Sequence, residues 1–297
     1  MAASSSTVDL SRLPAPTIVE QLDYETILAR KVARVRELLP AFDATVDSDP
    51  AVKILQLAAY DELLLRQDFN DRCRRSLVAY ATGADLDQRA ALVGVARLEI
   101  APADDVTGAP AVLEDDDSFR QRVVLAPEGY TVAGPELAYV KRAKDASGEV
   151  LDASATSPAP GEVLVSVLAR TGDGAASPEL VAIVAAVVKN KAVRPMGDAV
   201  TVASAAPVTF EVAASLTTLP GPDVALVLDR ARESLDAYLA ENRLLGRDIT
   251  RAGLIAALAV TGVIDIALAA PAANVACDLT QVAHCTAIAV THAGYAE

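Results

Sequence analysis

The spacing of apolar residues predicts helices in the first third of the chain. Leu28, Val32 and Val35 recur at intervals of three and four residues and form one helical stripe. Asp23 is placed to cap this helix, and Pro40 to end it. The polar residues before it, with two early prolines, are expected to form an arm that is ordered only when bound.

A second, longer helix follows. Asp49 and Pro50 predict its start, and we expect it to run to about Tyr80. Residues 52–65 are apolar nearly all round the helix, whereas only a narrow apolar stripe remains after them. A helix with this pattern needs partners on more than one side. Two short helices cannot cover it alone, so we infer that other chains help to bury it.

Residues 79–104 predict a break, a short helix and a second break. Gly83 can adopt a positive φ and end the long helix, Asp85 is placed to cap the next helix, and Gly94 ends it. The segment carries no catalytic chemistry. It is typical of a part that packs against copies and neighbours.

From about residue 134 the pattern changes to short strands and helices. A first unit has strands at 149–155, 162–169 and 199–203, with turn residues at 157–161. A second unit has a strand, two helices and two closing strands, at residues 208–216, 224–239, 250–260, 263–268 and 286–291. Short loops join the units, so we expect them to rotate relative to one another where their interfaces are small.

The chain is therefore predicted to be an α+β multidomain protein, an N-terminal helical bundle segment followed by two small mixed α/β units. We divide it into a flexible N-terminal arm, a helical assembly region, a linker with a short helix, a central α/β domain and a C-terminal α/β domain, at residues 1–20, 21–100, 101–133, 134–205 and 206–297.

The amino-acid composition limits the possible partners and locations of the protein. The 297 residues are 52% hydrophobic but only 4% aromatic, so the cores must be built from Ala, Val and Leu. The net charge of −14 argues against a nucleic-acid partner. Three cysteines cannot form a disulfide framework and indicate a reducing compartment. No signal peptide is expected, and the longest apolar run, residues 252–264, is too short to span a membrane.

Two groups of residues are candidates for chemistry. The acidic run Glu114 to Asp117 is either a divalent-metal site or the first turn of a helix, where carboxylates meet the positive end of the dipole. The C-terminal group is either a zinc site or a strand pair with a buried thiol and surface imidazoles; it contains Cys277, His284, Cys285 and His292. No nucleotide-binding, hydrolase or zinc-protease motif occurs.

Residues 79–104 (AYATGADLDQRAALVGVARLEIAPAD) resemble the baseplate J-like family, wedge proteins of contractile phage tails and related injection machines. Blocks at 118–147, 157–174 and 192–202 continue the resemblance in the family's order. Each block alone is weak, but their order and spacing over residues ~20 to ~270 make the match specific.

The resemblance implies a structural subunit rather than an enzyme, in a six-fold ring around a central hub or spike. The implied partners are other copies of the chain, a lysozyme-like-fold wedge protein, a fibre-connecting tail protein and the hub, with no cofactor, nucleic acid or membrane. The resemblance also implies that the protein is located in a tail baseplate, which is assembled in the bacterial host cytoplasm. The alternatives are a metal-dependent hydrolase and a non-ring protein-binding adaptor.

The expected interface residues lie on the first two helices and in a later connector. They are Leu28, Val32, Val35, Leu55, Leu57, Tyr60, Leu64, Arg194 and Pro195. The resemblance implies that Arg194-Pro195 is a recurring mark of the central domain. Arg194 either orients an inter-domain or inter-subunit contact or is a surface arginine in a rigid connector.

Overall fold

In the computed structural model, the chain divides into two compact units, Val8–Ala96 and Arg97–Glu297. The predicted flexible arm lies outside the described residues apart from Pro14. The structure describes Pro14, 22–43, Val46, 48–104, 107–131, 134–191, 193–221 and 223–296.

The first unit is helical, as the apolar stripes predict. Helix α1 (Tyr24–Leu38) packs on α2 (Pro50–Arg75), and the short α3 (Gly83–Ala91) follows. Asp23 accepts a hydrogen bond from a first-turn backbone N–H of α1 at 3.0 Å, and Asp49 accepts one in α2 at 2.8 Å. Both caps therefore act as predicted, because a side-chain oxygen satisfies an N–H that the helix cannot.

The breaks after α2 differ from the prediction. The helix ends at Arg75 rather than Tyr80, where the hydroxyl of Ser76 donates to the Cys73 carbonyl and competes with helical bonding. Gly83 has the expected positive φ, +51°, but it opens α3 instead of ending α2. Asp85 lies in the first turn of α3, not at its cap.

The second unit begins with a small hairpin where we predicted a linker. Strands β1 (Glu99–Ala101) and β2 (Val112–Leu113) pair antiparallel. Helix α4 (Asp116–Leu125), a 3-10 turn (Ala126–Tyr130) and helix α5 (Glu136–Ala146) follow. The predicted linker therefore contains part of a hairpin, which main-chain hydrogen bonds hold together. The sequence pattern did not predict this pairing.

The first of two three-stranded sheets contains β3 (Val150–Thr156), β4 (Glu162–Ala169) and β5 (Ala199–Ser204). Strand β4 lies in the middle, antiparallel to β3 and parallel to β5, and helix α6 (Pro178–Val188) connects β4 to β5. One face of the sheet packs on α5 and α6 through a core of small and branched side chains, among them Tyr139, Ala143, Val165, Val167, Leu180, Val184 and Val188.

The second sheet has the order β7-β6-β8. It comprises β6 (Ala206–Thr218), then helices α7 (Val224–Glu241) and α8 (Arg251–Leu258), then β7 (Val263–Ala270) and β8 (Gln281–Tyr295). Strand β8 is much longer than predicted because it pairs in parallel with nearly the whole of β6. The helices cover one face over a core that includes Val212, Leu216, Ala231, Leu235, Leu254 and Leu258.

The two sheets share a pattern but not a topology. Each has a middle strand with one antiparallel and one parallel neighbour, yet that strand comes second in the first sheet and first in the second. Helices and short sheets together confirm the predicted α+β class.

An apolar junction connects the two sheets within the second unit. Leu168 of β4, Ala205, Leu245 after α7 and Val282 of β8 form one buried cluster. The Asp152 carboxylate accepts a hydrogen bond from the Leu245 backbone N–H at 3.1 Å. Buried apolar contact of this kind is unlike the polar interfaces that let neighbouring domains turn independently.

Further bonds cross the same junction. Ser154 donates its hydroxyl proton to the Leu279 carbonyl, and Arg243 donates to the carbonyls of Arg170 at 3.3 Å and Gly172 at 2.8 Å. The two sheets are thus bound by packing and by hydrogen bonds. Whether the two sheets rotate relative to one another stays a prediction.

We expect Leu168→Ala to lower the free energy of unfolding of the full chain by about 2–5 kcal/mol, because it opens a cavity in a fully buried site. Denaturant unfolding followed by circular dichroism measures this. Leu226→Ala, on an exposed part of α7, is the control and should change it by less than about 0.5 kcal/mol. Equal effects from both substitutions would contradict the junction's role.

Candidate assembly surface

One half of the α2 circumference is apolar and exposed. Leu57, Tyr60 and Leu64 are 62%, 51% and 49% exposed. Three further large side chains on the same half of the helix are exposed as well, and we call all six the α2 outer face: Ile54, Leu57, Tyr60, Leu64, Leu65 and Phe69. Lys53, Asp61 and Asp68 lie among them. Exposed large apolar side chains grouped on one half of a helix are typical of an association site.

The other helical residues that we predicted for the interface lie elsewhere. They are half-buried on the side where α1 and α2 meet, near the buried Ile27 and Ala59: Leu28, Val32, Val35 and Leu55. Sequence reasoning omitted Ile54, Leu65 and Phe69 from the interface. A helical projection would have found them, because they fall on the same half-turn as Leu57.

Glu62 fastens α1 to α2 next to one border of the α2 outer face, close to Phe69 on the helix circumference. Its carboxylate pairs with Arg30, with Lys31 at 2.8 Å and with Arg66 at 3.0 Å. The hydrogen bond from Lys31, together with Arg30, lowers the pKa of Glu62 to about 2. These polar contacts hold the helix pair together, and the apolar residues of the α2 outer face stay exposed beside them.

Arg194 lies in the connector between α6 and β5, as predicted, and bonds within it. Its guanidinium donates to the carbonyls of Lys189, Pro195 and Asp198. These bonds make the connector rigid, as the second of the two alternatives requires. A contact role for Arg194 stays a prediction.

Pro195 packs where the connector meets the start of α5. Gly134 has a φ of +80°, and a Cβ added there would lie 2.6 Å from the Pro195 ring, so only glycine fits. Nearby, the Tyr139 hydroxyl donates to the Asp198 carboxylate at 2.7 Å. Burial and this carboxylate raise the pKa of Tyr139. The connector is therefore fastened to the helix layer of the first sheet.

The acidic run opens α4, and its first residue is buried. Glu114 forms a buried ion pair with Arg122 and accepts a hydrogen bond from the Leu98 backbone N–H at 2.9 Å. Asp115 caps α4, because its side chain accepts from the N–H groups of Asp117 and Ser118 at 3.0 and 2.8 Å.

The remaining two carboxylates pair with separate arginines. Asp116 contacts Arg97, whose guanidinium lies 4.7 Å from the Phe119 ring centre, and Asp117 contacts Arg120 at 2.6 Å. The run therefore does not converge on one point, as a cation site requires. This geometry supports the helix-start alternative.

The C-terminal cysteines are placed in the core of the second sheet. Cys277 is buried, and its pKa is raised by burial and by the nearby Asp248 and Asp278. Burial also raises the pKa of Cys285. The position of Cys277 in the apolar core of the second sheet favours the alternative of a structural strand pair. Among the residues that the structure describes, no three His, Cys, Asp or Glu side chains group as metal ligands would.

Comparison with known proteins matches this architecture piece by piece. The Baseplate J-like N-terminal domain matches residues 47–104, the Baseplate J-like central domain 131–204 and the Baseplate J-like protein C-terminal domain 210–291. The chain belongs to the baseplate J-like family. Baseplate protein J of Escherichia phage P2 is 42% identical over 296 residues, which cover 97% of this chain and 98% of the phage protein.

Family membership agrees with the resemblance seen in the sequence. It places the chain among phage baseplate structural proteins, which are tail components of the virion and interact with other baseplate components. Across the described part of the chain, no helix has the length and hydropathy needed to cross a membrane. The match to the Baseplate J-like N-terminal domain includes all six residues of the α2 outer face.

The low pKa of Glu62 makes the stability of the α1–α2 pair depend on pH. A lowered pKa contributes stability above the ordinary value of 4.5 and loses it as pH falls towards about 2. We expect Glu62→Gln to unfold at a lower temperature than the wild type near pH 7. The difference should shrink between pH 4.5 and pH 2. Thermal melts at several pH values measure it, and a pH-independent difference would contradict the ion cluster.

Glu114→Gln leaves Arg122 buried with one carboxylate fewer, so we expect a loss of about 3 kcal/mol in unfolding free energy. Asp117→Asn, with an exposed side chain, is the matched control and should have little effect. A chelator should change neither variant nor the wild type. A melting temperature that falls on chelation in the wild type but not in Glu114→Gln would instead support a metal site.

Proposed function

We propose that the chain is a wedge subunit of a contractile tail baseplate, in a ring around the central hub or spike. The supporting observation is the α2 outer face, whose six large apolar side chains the unit itself leaves exposed. Removing such a surface from water stabilises association by roughly 25 cal/mol for each Å² of apolar area. Neighbouring chains in the ring would bury the α2 outer face.

In this proposal the partners are other copies of the chain, a lysozyme-like-fold wedge protein, a fibre-connecting tail protein and the hub. The helical region 21–100 makes the assembly contacts, and the domains 134–205 and 206–297 link wedges, sheath and fibre attachment. The half-buried predicted residues, with Arg194 and Pro195, would line secondary contacts. Assembly takes place in the bacterial host cytoplasm, as for other components of a contractile injection system.

The mechanism in this proposal is a rearrangement of interfaces rather than bond chemistry. The acidic run supports this, because its carboxylates are engaged in capping and ion pairs. The packing of Cys277 in the apolar core of the second sheet supports it as well. The joined sheets of the second unit would move as one body, so the changes on triggering would occur at contacts with other chains.

The test places charge on the α2 outer face. Leu57→Asp and Leu64→Asp should each block incorporation into tail particles, because a carboxylate would be buried in the contact. Both positions are about half exposed, so the isolated variants should keep the wild-type circular dichroism spectrum. Electron microscopy of particles from complementation with each variant gives the result.

Ile183→Asp provides the control, because Ile183 is 47% exposed and belongs to α6 of the other unit. It should still yield full particles. If both α2 variants also yield full particles, α2 is not an assembly contact and the proposal fails. A chain that binds its partners with wild-type affinity but never enters a ring would instead be the non-ring adaptor.

A further inference from the structure

The segment that joins the two units lies across the family's domain boundary. The match to the Baseplate J-like N-terminal domain ends at residue 104, but the second compact unit already begins at Arg97. Residues 97–104, which include β1, therefore belong to the N-terminal domain by sequence and to the second unit by their contacts. We call this segment and its hairpin partner the strap, residues 97–104 and 107–113.

The described residues of the strap include no buried side chain. Both residues of β2, Val112 and Leu113, are exposed, and Leu98 and Ile100 of the other half are only half-buried. Farther along the chain, Phe119 of α4 is fully buried. A two-stranded hairpin without an apolar core of its own is marginally stable in water. The strap therefore depends on bonds to the rest of the second unit.

The first two residues of the strap make these bonds. The Arg97 guanidinium donates to the Glu114 carbonyl at 2.9 Å and pairs with the Asp116 carboxylate. The Leu98 backbone N–H donates to the Glu114 carboxylate at 2.9 Å, and the Leu98 carbonyl accepts from the Glu114 N–H at 3.0 Å. Glu114 itself is held by the buried Arg122, which does not belong to the strap. Polar bonds rather than apolar burial thus keep the strap closed.

Gly148, in the turn between α5 and β3, lies directly against the backbone of β1. A Cβ added there would lie 2.9 Å from the Glu99 carbonyl carbon and 3.3 Å from the Ile100 Cα. The Gly148 carbonyl accepts a hydrogen bond from the Arg170 side chain at 3.1 Å, which fixes the turn to the end of β4. The closed position of the strap therefore requires a glycine, because one methyl group would displace the β1 backbone.

We propose that the strap opens as a local unit while the two sheets stay folded, and that opening lengthens the connection between the two units. When the strap is closed, this connection is the peptide bond between Ala96 and Arg97. When it is open, residues 97–113 form a tether that reaches up to about 55 Å, at roughly 3.3 Å per residue. Segments with few buried apolar contacts open at a lower free energy than the whole protein. The inference does not depend on the proposed function, because it applies to the isolated chain.

Native-state hydrogen exchange of the full chain at several low denaturant concentrations tests the proposal. The Leu98 amide reports on the strap, and the amide of the fully buried Val167 in β4 reports on the sheet. The protection factor of Leu98 should be about 100-fold or more below that of Val167. It should also change little with denaturant, because local opening exposes little surface, whereas that of Val167 should fall steeply.

Two variants weaken the closed strap by different means. Arg97→Gln removes the ion pair with Asp116, and Gly148→Ala pushes the Glu99 backbone away. Each should lower the Leu98 protection factor by about tenfold or more. Lys141→Gln is the control, because it removes an ion pair with Asp145 that strap opening leaves intact. It should leave the Leu98 protection factor unchanged.

A variant in the core of the first sheet provides the reverse comparison. Val184→Ala opens a cavity at a fully buried site of α6 and should lower the Val167 protection factor by about tenfold. The Leu98 protection factor should stay the same, because strap opening leaves this core folded. If Val184→Ala lowers both factors equally, the strap opens only with the whole unit and the proposal fails. It also fails if neither Arg97→Gln nor Gly148→Ala changes the exchange of Leu98. Neither result bears on the wedge proposal, which is tested by entry of the α2 variants into particles.

Discussion

The first half of the 26-residue helix α2 is apolar nearly all round and can be buried only if other elements surround it, yet one helix of 15 residues packs along α2. Glu62 and its three cations fix which side of α2 faces α1. The opposite side is then left to solvent in this chain. That constraint connects the sequence to the function, because six large apolar side chains exposed on one helix favour association with other chains over the monomeric state.

The second unit is stabilised in a different way. Each of its two sheets has a core of its own, and a smaller cluster that includes Leu168 and Val282 is buried between them. Side chains such as Arg243 and Asp152 then satisfy backbone groups across the same boundary.

The groups that suggested chemistry turn out to build the fold. Glu114 and Arg122 form a buried pair beside the first hairpin, and Asp115 caps the helix that follows. Cys277 belongs to the apolar core of the second sheet. Clustered carboxylates and cysteines have many structural uses in a helix-rich, acidic chain, so their presence in a sequence carries weight for catalysis only when their side chains converge.

The sequence by itself determined the helix periodicity, the caps at Asp23 and Asp49, the central strands and the family, because these depend on residues close together in the chain. Tertiary structure alone decided the β1–β2 hairpin, the full length of β8 and the partners of the acidic run. Each of these depends on groups far apart in sequence: β8 is extended by pairing with β6, and Glu114 is held by Leu98 and Arg122. Local patterns do not encode which distant strand or cation a residue will meet.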